Sequence, residues 1–297
     1  MKSGFLVVDK PVDFTSHDVV AVARKALQER RVGHAGTLDP FATGVLVLGV
    51  GNGTRLLQYI TDGKKCYQGT IRLGVATTTD DLTGDVISEN FAGLDSISDS
   101  AIIDNLSIQV GEIYQRPSSF SAIKVNGKRA YELARAGEEV KLKERKVTIY
   151  SLEVEKIERS ERAIDVSITV ECSAGTYIRS IARDVGQVLS VGGHLTALRR
   201  LRVDPFSLDD SITMEQLRAE PALLSLDDAI SRIFSRRNLS MEEVASVSHG
   251  RSIELRDEKQ SQHQQSAAFT PEGRFIALLA EKSGRAQPIL VLNRESL

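Results

Sequence analysis

The sequence has only two cysteines, Cys66 and Cys172, and no apolar run long enough to cross a membrane. A membrane helix needs about 20 predominantly apolar residues. The two cysteines do not have the Cys-x-x-Cys spacing of metal sites, and both lie in segments typical of strands, so we expect buried, reduced thiols without a disulfide. The first residues lack the apolar stretch and cleavage site of a secretory signal. We therefore expect a soluble, cytoplasmic protein without a metal site.

An excess of charge of one sign is also missing, since 38 Lys and Arg stand against 40 Asp and Glu, a net charge of −2. This total does not indicate nucleic-acid binding, but the distribution does. Residues 116–146 carry a local charge of +5 and residues 176–203 one of +4, whereas residues 79–115 carry −8. Two separate basic blocks predict a basic face suited to nucleic acid. A merely solvated charged surface is the alternative.

The most informative segment is a glycine-rich block around a single acid, Asp39. Residues 33–46 read Gly-His-Ala-Gly-Thr-Leu-Asp-Pro-Phe-Ala-Thr-Gly-Val-Leu. Three glycines and a proline exclude a helix interior and predict a shaped loop before a buried strand at Val45–Val50. Pro40 fixes its own φ and restricts the backbone of Asp39. A carboxylate held in this way is a candidate nucleophile or general base, with a turn-forming Asp as the alternative.

This block resembles the catalytic motif of the TruB family of tRNA pseudouridine synthases, and Lys10-Pro11 resembles the family's Lys-Pro motif. The resemblance covers residues 4–203 well and the remainder loosely. It implies an α+β protein with the pseudouridine synthase fold, in which a central mixed, largely antiparallel sheet carries a catalytic cleft. A small β-rich, PUA-like RNA-binding domain follows. We expect a catalytic domain at residues 1–234, with an RNA-gripping insertion at about 116–146, and the second domain at 235–297, the boundary lying at the run Ser235–Leu239.

The resemblance also implies three catalytic residues: Asp39, Tyr67 and Arg179. Arg179 lies in the first turn of a predicted helix and matches the family arginine that pairs with the catalytic Asp. Such a cation is expected to lower the pKa of Asp39 and keep it ionised. Tyr67, in a predicted strand, matches the family tyrosine that stacks on the flipped base. Asp39 can attack C1′ or C6 or remove the C2′ proton, and the residues do not select among these routes.

A further set of residues is expected to bind the RNA substrate. Near the flipped nucleotide the resemblance implies His34, Leu198, Asp81 and Lys10, and on the RNA backbone it implies Lys124, Lys128, Arg129 and Arg135. For Asp81 a structural turn is the main interpretation. Backbone contacts give affinity and salt sensitivity but no sequence information, and a solvated basic face is the alternative for each of the four. The chain departs from the family pattern at Ala174, where Lys is common, and at Thr78, where Asp is.

The resemblance implies an isomerase that converts uridine 55 of the tRNA T-loop to pseudouridine. It further implies that the base is flipped out, its glycosidic bond is cleaved and the ring is rejoined through C5, without a cofactor, metal or energy source. We expect the tRNA T-stem and loop as the partner, no obligatory protein partner, and a monomer. The alternatives are an RNA-binding or tRNA-folding protein without catalysis, or a related synthase acting on ribosomal RNA.

Overall fold

The computed structural model describes residues 2–121, 123–125, 127–136, 138, 142–255 and 265–292, with only the backbone at 124, 128, 129, 131, 134 and 135. The strands are β1 (Gly4–Lys10), β2 (Val32–His34), β3 (Thr43–Val50), β4 (Lys65–Leu73), β5 (Val75–Thr77), β6 (Val86–Glu89), β7 (Gly111–Gln115), β8 (Lys124–Val125), β9 (Lys128–Arg129), β10 (Arg145–Ser160), β11 (Ala163–Cys172), β12 (Gly193–Val203), β13 (Phe206–Ser207), β14 (Ser235–Asn238), β15 (Ile253–Glu254), β16 (Gln265–Phe269), β17 (Phe275–Lys282) and β18 (Arg285–Val291). The α-helices are α1 (Ser16–Leu27), α2 (Leu57–Thr61), α3 (Asp99–Ser107), α4 (Ala130–Arg135), α5 (Ile178–Val188), α6 (Met214–Ala219), α7 (Leu226–Ile233) and α8 (Met241–Ser248).

The main sheet has nine strands, and seven of them follow the order β1-β3-β12-β4-β11-β10-β7. The short strands β2 and β13 pair with β3 and β12. Within this sheet β12 and β3 run parallel, and the other described pairs are antiparallel. The prediction of a mixed, largely antiparallel sheet is therefore confirmed.

Strands β1 and β3 are buried on both faces. Successive side chains of a strand point to opposite sides, so these strands contribute side chains to two different cores. Phe5 and Val7 pack into a core shared with α7 and the second sheet. Leu6 and Val8 pack into a different core with α1 and α6. A third core, between α3, α5 and strands β4, β11 and β12, includes Leu38 from the loop that carries Asp39.

The second sheet has the order β14-β16-β17-β18-β15 and packs directly against the first. Phe269 and Phe275 of this sheet share one core with Phe5 and Phe206, and all four rings are fully buried. Burying such a side chain stabilises a fold by about 1.5–3 kcal/mol, so the contact between the two sheets is substantial. The run in which we expected the domain boundary forms β14, an exposed edge strand that pairs parallel with β16.

Some local expectations from the sequence differ from the structure. Cys172 is buried as expected, but Cys66 is only partly buried, and both thiols are free. The sequence of residues 54–60 predicts a short helix, but in the structure the helical segment begins earlier, as a 3₁₀ turn at Gly51–Leu56 followed by α2. Gly51 has φ of +57°, which permits this tight start directly after β3. None of the helices in the described residues has the length and apolar character that crossing a membrane requires.

Candidate active site

The loop that carries Asp39 connects β2 to β3, and hydrogen bonds hold its backbone on both sides of Asp39. Ser16, at the start of α1, donates to the carbonyl oxygen of Leu38 at 3.1 Å and accepts from its N–H at 2.9 Å. The ammonium of Lys10 donates to the carbonyl of Pro40 at 3.2 Å. The N–H of Ala42 donates to the carbonyl of Asp39 at 3.1 Å. The backbone around the carboxylate is therefore fixed on both sides.

Lys10 also holds this loop in place, through its buried side chain. Its side chain is fully buried, and its ammonium also donates to the carbonyl oxygens of Pro11 at 2.9 Å and Phe14 at 2.7 Å. Burial lowers the pKa of Lys10 to about 8, against the opposing effect of the Asp39 charge. An ammonium has three N–H donors, and all three are engaged with carbonyls. These bonds show Lys10 as a support of the loop, and the expectation that it binds substrate stays a prediction.

Arg179, in the first turn of α5, holds Asp39 from the protein side. Its Nε lies 2.9 Å from one carboxylate oxygen of Asp39, and its Nη2 donates to the other at 3.2 Å. Nη1 donates to the carbonyl of Thr79 at 2.9 Å and lies 3.4 Å from Oδ2 of Asp81. Nη2 also donates to the carbonyl of Phe120 at 3.1 Å. Every N–H of this buried guanidinium therefore has a partner.

Asp81 occupies a polar turn behind Arg179. Its Oδ1 accepts from the hydroxyls of Thr79 at 2.7 Å and Thr83 at 2.6 Å, and from the N–H of Thr83 at 2.9 Å. Its Oδ2 faces Arg179, and the side chain is 5% exposed. With both oxygens engaged, Asp81 lies in a turn that supports Arg179, in agreement with the main interpretation from the sequence, and its place among the substrate-binding residues stays a prediction.

The electrostatic balance at Asp39 differs from the expectation. Burial raises the pKa of Asp39, the charge and hydrogen bond of Arg179 lower it, and the charge of Asp81 raises it again. Arg179 therefore lowers the pKa of Asp39 as expected, but burial outweighs this effect and the net direction is upward. The Asp39 side chain is 31% exposed whereas that of Arg179 is 5% exposed. The carboxylate therefore has one face on the arginine and one face open to a ligand.

Tyr67 and Leu198 lie beside this carboxylate on adjacent strands. Tyr67 of β4 and Leu198 of β12 are each 7% exposed and share a core with Leu38, the residue before Asp39. Burial raises the pKa of the Tyr67 phenol, whereas the charge and a hydrogen bond of Arg200 lower it. The structure thus brings together Asp39, Tyr67, Arg179 and Leu198, which are separated in sequence.

His34 ends β2 and lies at the base of the same loop. Its ring is 5.5 Å from that of His17 in an edge-to-face arrangement. Its buried Nδ1 has no hydrogen-bond partner among the described residues. Burial and the neighbouring His17 lower the pKa of His34, which favours the neutral imidazole. No three His, Cys, Asp or Glu side chains in the described residues are grouped as a metal site requires.

Arg200 is a buried residue of this region that sequence reasoning missed. Its Nε donates to the carbonyl of Val45 at 2.7 Å, and its Nη2 to the carbonyl of Gly36 at 3.2 Å. The alternation of side chains along β12 could have indicated its burial. Arg200 lies two residues after Leu198, and so on the same face of the strand. The residue is 1% exposed, which is unusual for an arginine.

The four residues expected to contact the RNA backbone lie in the 116–146 segment. Lys124 is in β8, Lys128 and Arg129 are in β9, and Arg135 ends α4. Their side chains are outside the part of the chain that the structure describes. Their contacts with RNA therefore stay a prediction.

Comparison with known proteins gives a family match over the residues that form the candidate active site. Residues 24–178, which include Asp39, Tyr67 and Asp81, match the family described as TruB family pseudouridylate synthase (N terminal domain). The chain belongs to the TruB family. Two further profiles match, the tRNA pseudouridylate synthase B C-terminal domain at 179–233 and the tRNA pseudouridine synthase II C-terminal region at 234–293.

Curated family members are similar over nearly the whole chain. The tRNA pseudouridine synthase B of Arthrobacter sp. (strain FB24) is 49% identical over 98% of this chain and 97% of its own length. That of Thermobifida fusca (strain YX) is 47% identical over 98% and 99%. Among solved structures, a Cbf5-Nop10-Gar1 complex has a chain with a TM-score of 0.71 and 27% identity, covering 98% of this chain and 86% of that chain. The expected pseudouridine synthase fold is therefore confirmed.

Proposed function

We propose that this TruB-family chain is a tRNA pseudouridine synthase, an isomerase, and that it acts on uridine 55 of the T-loop. The observation that carries the proposal is the position of the Asp39 carboxylate. It lies on a loop whose backbone is fixed by hydrogen bonds, and Arg179 contacts its two oxygens at 2.9 and 3.2 Å. The relatives named tRNA pseudouridine synthase B support tRNA as the substrate.

The chemistry needs one well-placed carboxylate. The C1′–N1 bond breaks, the base turns, a C1′–C5 bond forms, C5 loses its proton and N1 gains one, so no atom or electron is supplied from outside. Asp39 serves by attacking C1′ or C6 or by removing the C2′ proton. Because burial raises the pKa of Asp39, Arg179 is needed to favour the ionised form and to orient its oxygens.

The neighbouring side chains fit the handling of a flipped base. We assign Tyr67 to stacking on the uracil, with its phenol near the C5 proton, and Leu198 to the wall of the pocket. Aromatic stacking is a general means of holding an extruded base. His34, which lies in the same loop as Asp39 and has a neutral ring, is assigned to nucleotide positioning on the resemblance to the family motif.

The remaining expectations belong to the same proposal. Lys124, Lys128, Arg129 and Arg135 would contact RNA phosphates, and residues 235–297 would form a short PUA-like RNA-binding domain after a catalytic domain at 1–234. We propose a cytoplasmic monomer without an obligatory protein partner.

The test uses unmodified tRNA transcript incubated with the wild type, Asp39→Asn and the control Asp165→Asn. Asp165 also pairs with an arginine, Arg72, at 2.7 Å, but on another part of the main sheet. Pseudouridine is mapped by carbodiimide treatment and primer extension. We expect a stop at position 55 with the wild type and the control but not with Asp39→Asn, which should retain tRNA binding. Tight binding without a stop would favour a tRNA-folding protein, and a stop only on ribosomal RNA would overturn the substrate.

A further inference from the structure

Arg200 lies at the junction of three parts of the candidate active site. Its backbone pairs with Gly44 at the end of the Asp39 loop and with Tyr67 on β4. Its side chain donates to carbonyls on both sides of the same loop, those of Gly36 at 3.2 Å and Val45 at 2.7 Å. Its charge also lowers the pKa of the Tyr67 phenol, against the larger effect of burial. One buried guanidinium thus fixes the loop that carries the carboxylate onto the strand whose backbone pairs with Tyr67.

The close approach at Gly44 shows how tightly these parts are joined. Gly44 has φ of +104°, and a Cβ at this position would collide with the backbone of Arg200. The loop therefore ends directly on the strand that carries Arg200. A planar guanidinium with five donors can hold several acceptors at fixed angles, which a lysine ammonium cannot.

We propose that Arg200 is a positioning residue that sets the geometry between the Asp39 carboxylate and the Tyr67 ring. It acts through the loop and through the pairing of β12 with β4, and it does not itself contact substrate, since it is 1% exposed. This inference rests on the proposed function for its catalytic consequence. Its structural content, that Arg200 holds the loop against the strand that pairs with Tyr67, stands independently of it.

Arg199 provides a matched control on the same strand. Its guanidinium pairs with Asp9 at 2.7 Å, and its side chain is 37% exposed. Substituting either arginine by lysine removes the same planar group from β12. Only the Arg200 substitution removes the guanidinium hydrogen bonds to Gly36 and Val45.

The experiment measures single-turnover pseudouridine formation, tRNA affinity and folding for the wild type, Arg200→Lys, Arg200→Met and Arg199→Lys. We expect both Arg200 variants to bind tRNA within about twofold of the wild type. Their rate should fall about 100-fold, the effect of misplacing reacting groups by about 1 Å. Arg199→Lys should keep the wild-type rate. This split between rate and affinity separates positioning from a general loss of structure.

A second measurement does not depend on activity. The protein is labelled with 3-fluorotyrosine, and the ¹⁹F signal of Tyr67 is assigned with Tyr67→Phe. We expect this signal to shift in Arg200→Lys and to stay in place in Arg199→Lys. If the wild type forms no pseudouridine, the proposed function fails, and the fluorine signal still decides whether Arg200 holds Tyr67.

The inference is overturned if the Arg200 variants react within about threefold of the wild-type rate. It is also overturned if the Tyr67 signal does not move, or if affinity falls as much as rate. Failure of both Arg200 variants to fold would assign the residue to the fold alone and reject the positioning role.

Discussion

Replacing Arg179 by methionine should destabilise the protein in a pH-dependent way. The substitution keeps much of the side-chain volume but removes the cation between Asp39 and Asp81. Both carboxylates then face each other across a buried apolar side chain. The wild-type contacts at 2.9 Å to Asp39 and 3.4 Å to Asp81 are lost together.

The expected loss follows from the burial of each partner. Removing one member of a buried ion pair costs about 3–5 kcal/mol, because the other charge is left without compensation. Water can reach part of Asp39, whose side chain is 31% exposed. Asp81 keeps its hydrogen bonds from Thr79 and Thr83. We therefore expect the lower end of the range, about 3 kcal/mol at pH 8.

The sign of the pH dependence follows from proton linkage. Burial already raises the pKa of Asp39 in the wild type, and loss of Arg179 removes an influence that lowers it. Between the unfolded and the folded pKa, the native state binds more protons than the unfolded chain, so the free energy of unfolding falls as pH rises. The deficit of the variant should thus shrink as the pH falls towards the folded pKa of Asp39, by about 1.4 kcal/mol for each additional unit of pKa shift.

Urea unfolding followed by far-UV circular dichroism at several pH values measures both quantities. Arg72→Met is the control, since Arg72 pairs with Asp165 at 2.6 Å but their side chains are 42% and 28% exposed. An exposed pair contributes about 1 kcal/mol or less. Equal losses for the two variants, or a loss for Arg179→Met that does not change with pH, would refute the reasoning.

Three further predictions address the loop, its support and the RNA contacts. Gly44→Ala should lower the free energy of unfolding by more than about 2 kcal/mol, since φ is +104° and a Cβ would collide with Arg200; an unchanged urea midpoint would contradict this. With the pKa of Lys10 lowered from 10.5 to about 8, the native state releases this proton before the unfolded chain does, so wild-type stability should rise relative to Lys10→Met over that pH range. Parallel stability curves for the two proteins would speak against it. Lys128→Ala should reduce the slope of log Kd against log salt by about 0.7–0.9 without changing the single-turnover rate at saturating tRNA, and an unaltered slope would mean that Lys128 is only solvated.

Local patterns were sufficient to predict the elements that carry the site. The alternation of residues 65–73 predicts a strand with the bounds that β4 has. The helical pattern of residues 177–189 predicts a helix that starts one residue before α5, which places Arg179 in the first turn. These segments have a clear period of two or 3.6 residues, and turn residues end them. Strand β14 had no such signal, because its side chains are mostly exposed and its partner β16 is remote in sequence.

The buried cations were harder to predict because arginine and lysine are normally assigned to the surface. Lys10 and Arg200 are fully buried or nearly so, and both bind backbone carbonyls of the loop that carries Asp39. A loop rich in glycine and proline leaves carbonyls without partners in a helix or sheet, and buried carbonyls require donors. The composition of the loop therefore indicates that buried hydrogen-bond donors are needed, but only the folded chain shows which side chains provide them.

The pKa of Asp39 illustrates what a motif leaves undetermined. A motif supplies a carboxylate and a cation, and from that pair alone a lowered pKa follows. In the fold, burial is the largest cause that raises the pKa of Asp39. Arg179 also faces Asp81, so its charge is shared between two acids, and the charge of Asp81 raises the pKa of Asp39 further. Because the outcome depends on the depth of the site and on a third charge from another loop, the direction at Asp39 is a property of the tertiary structure rather than of the motif.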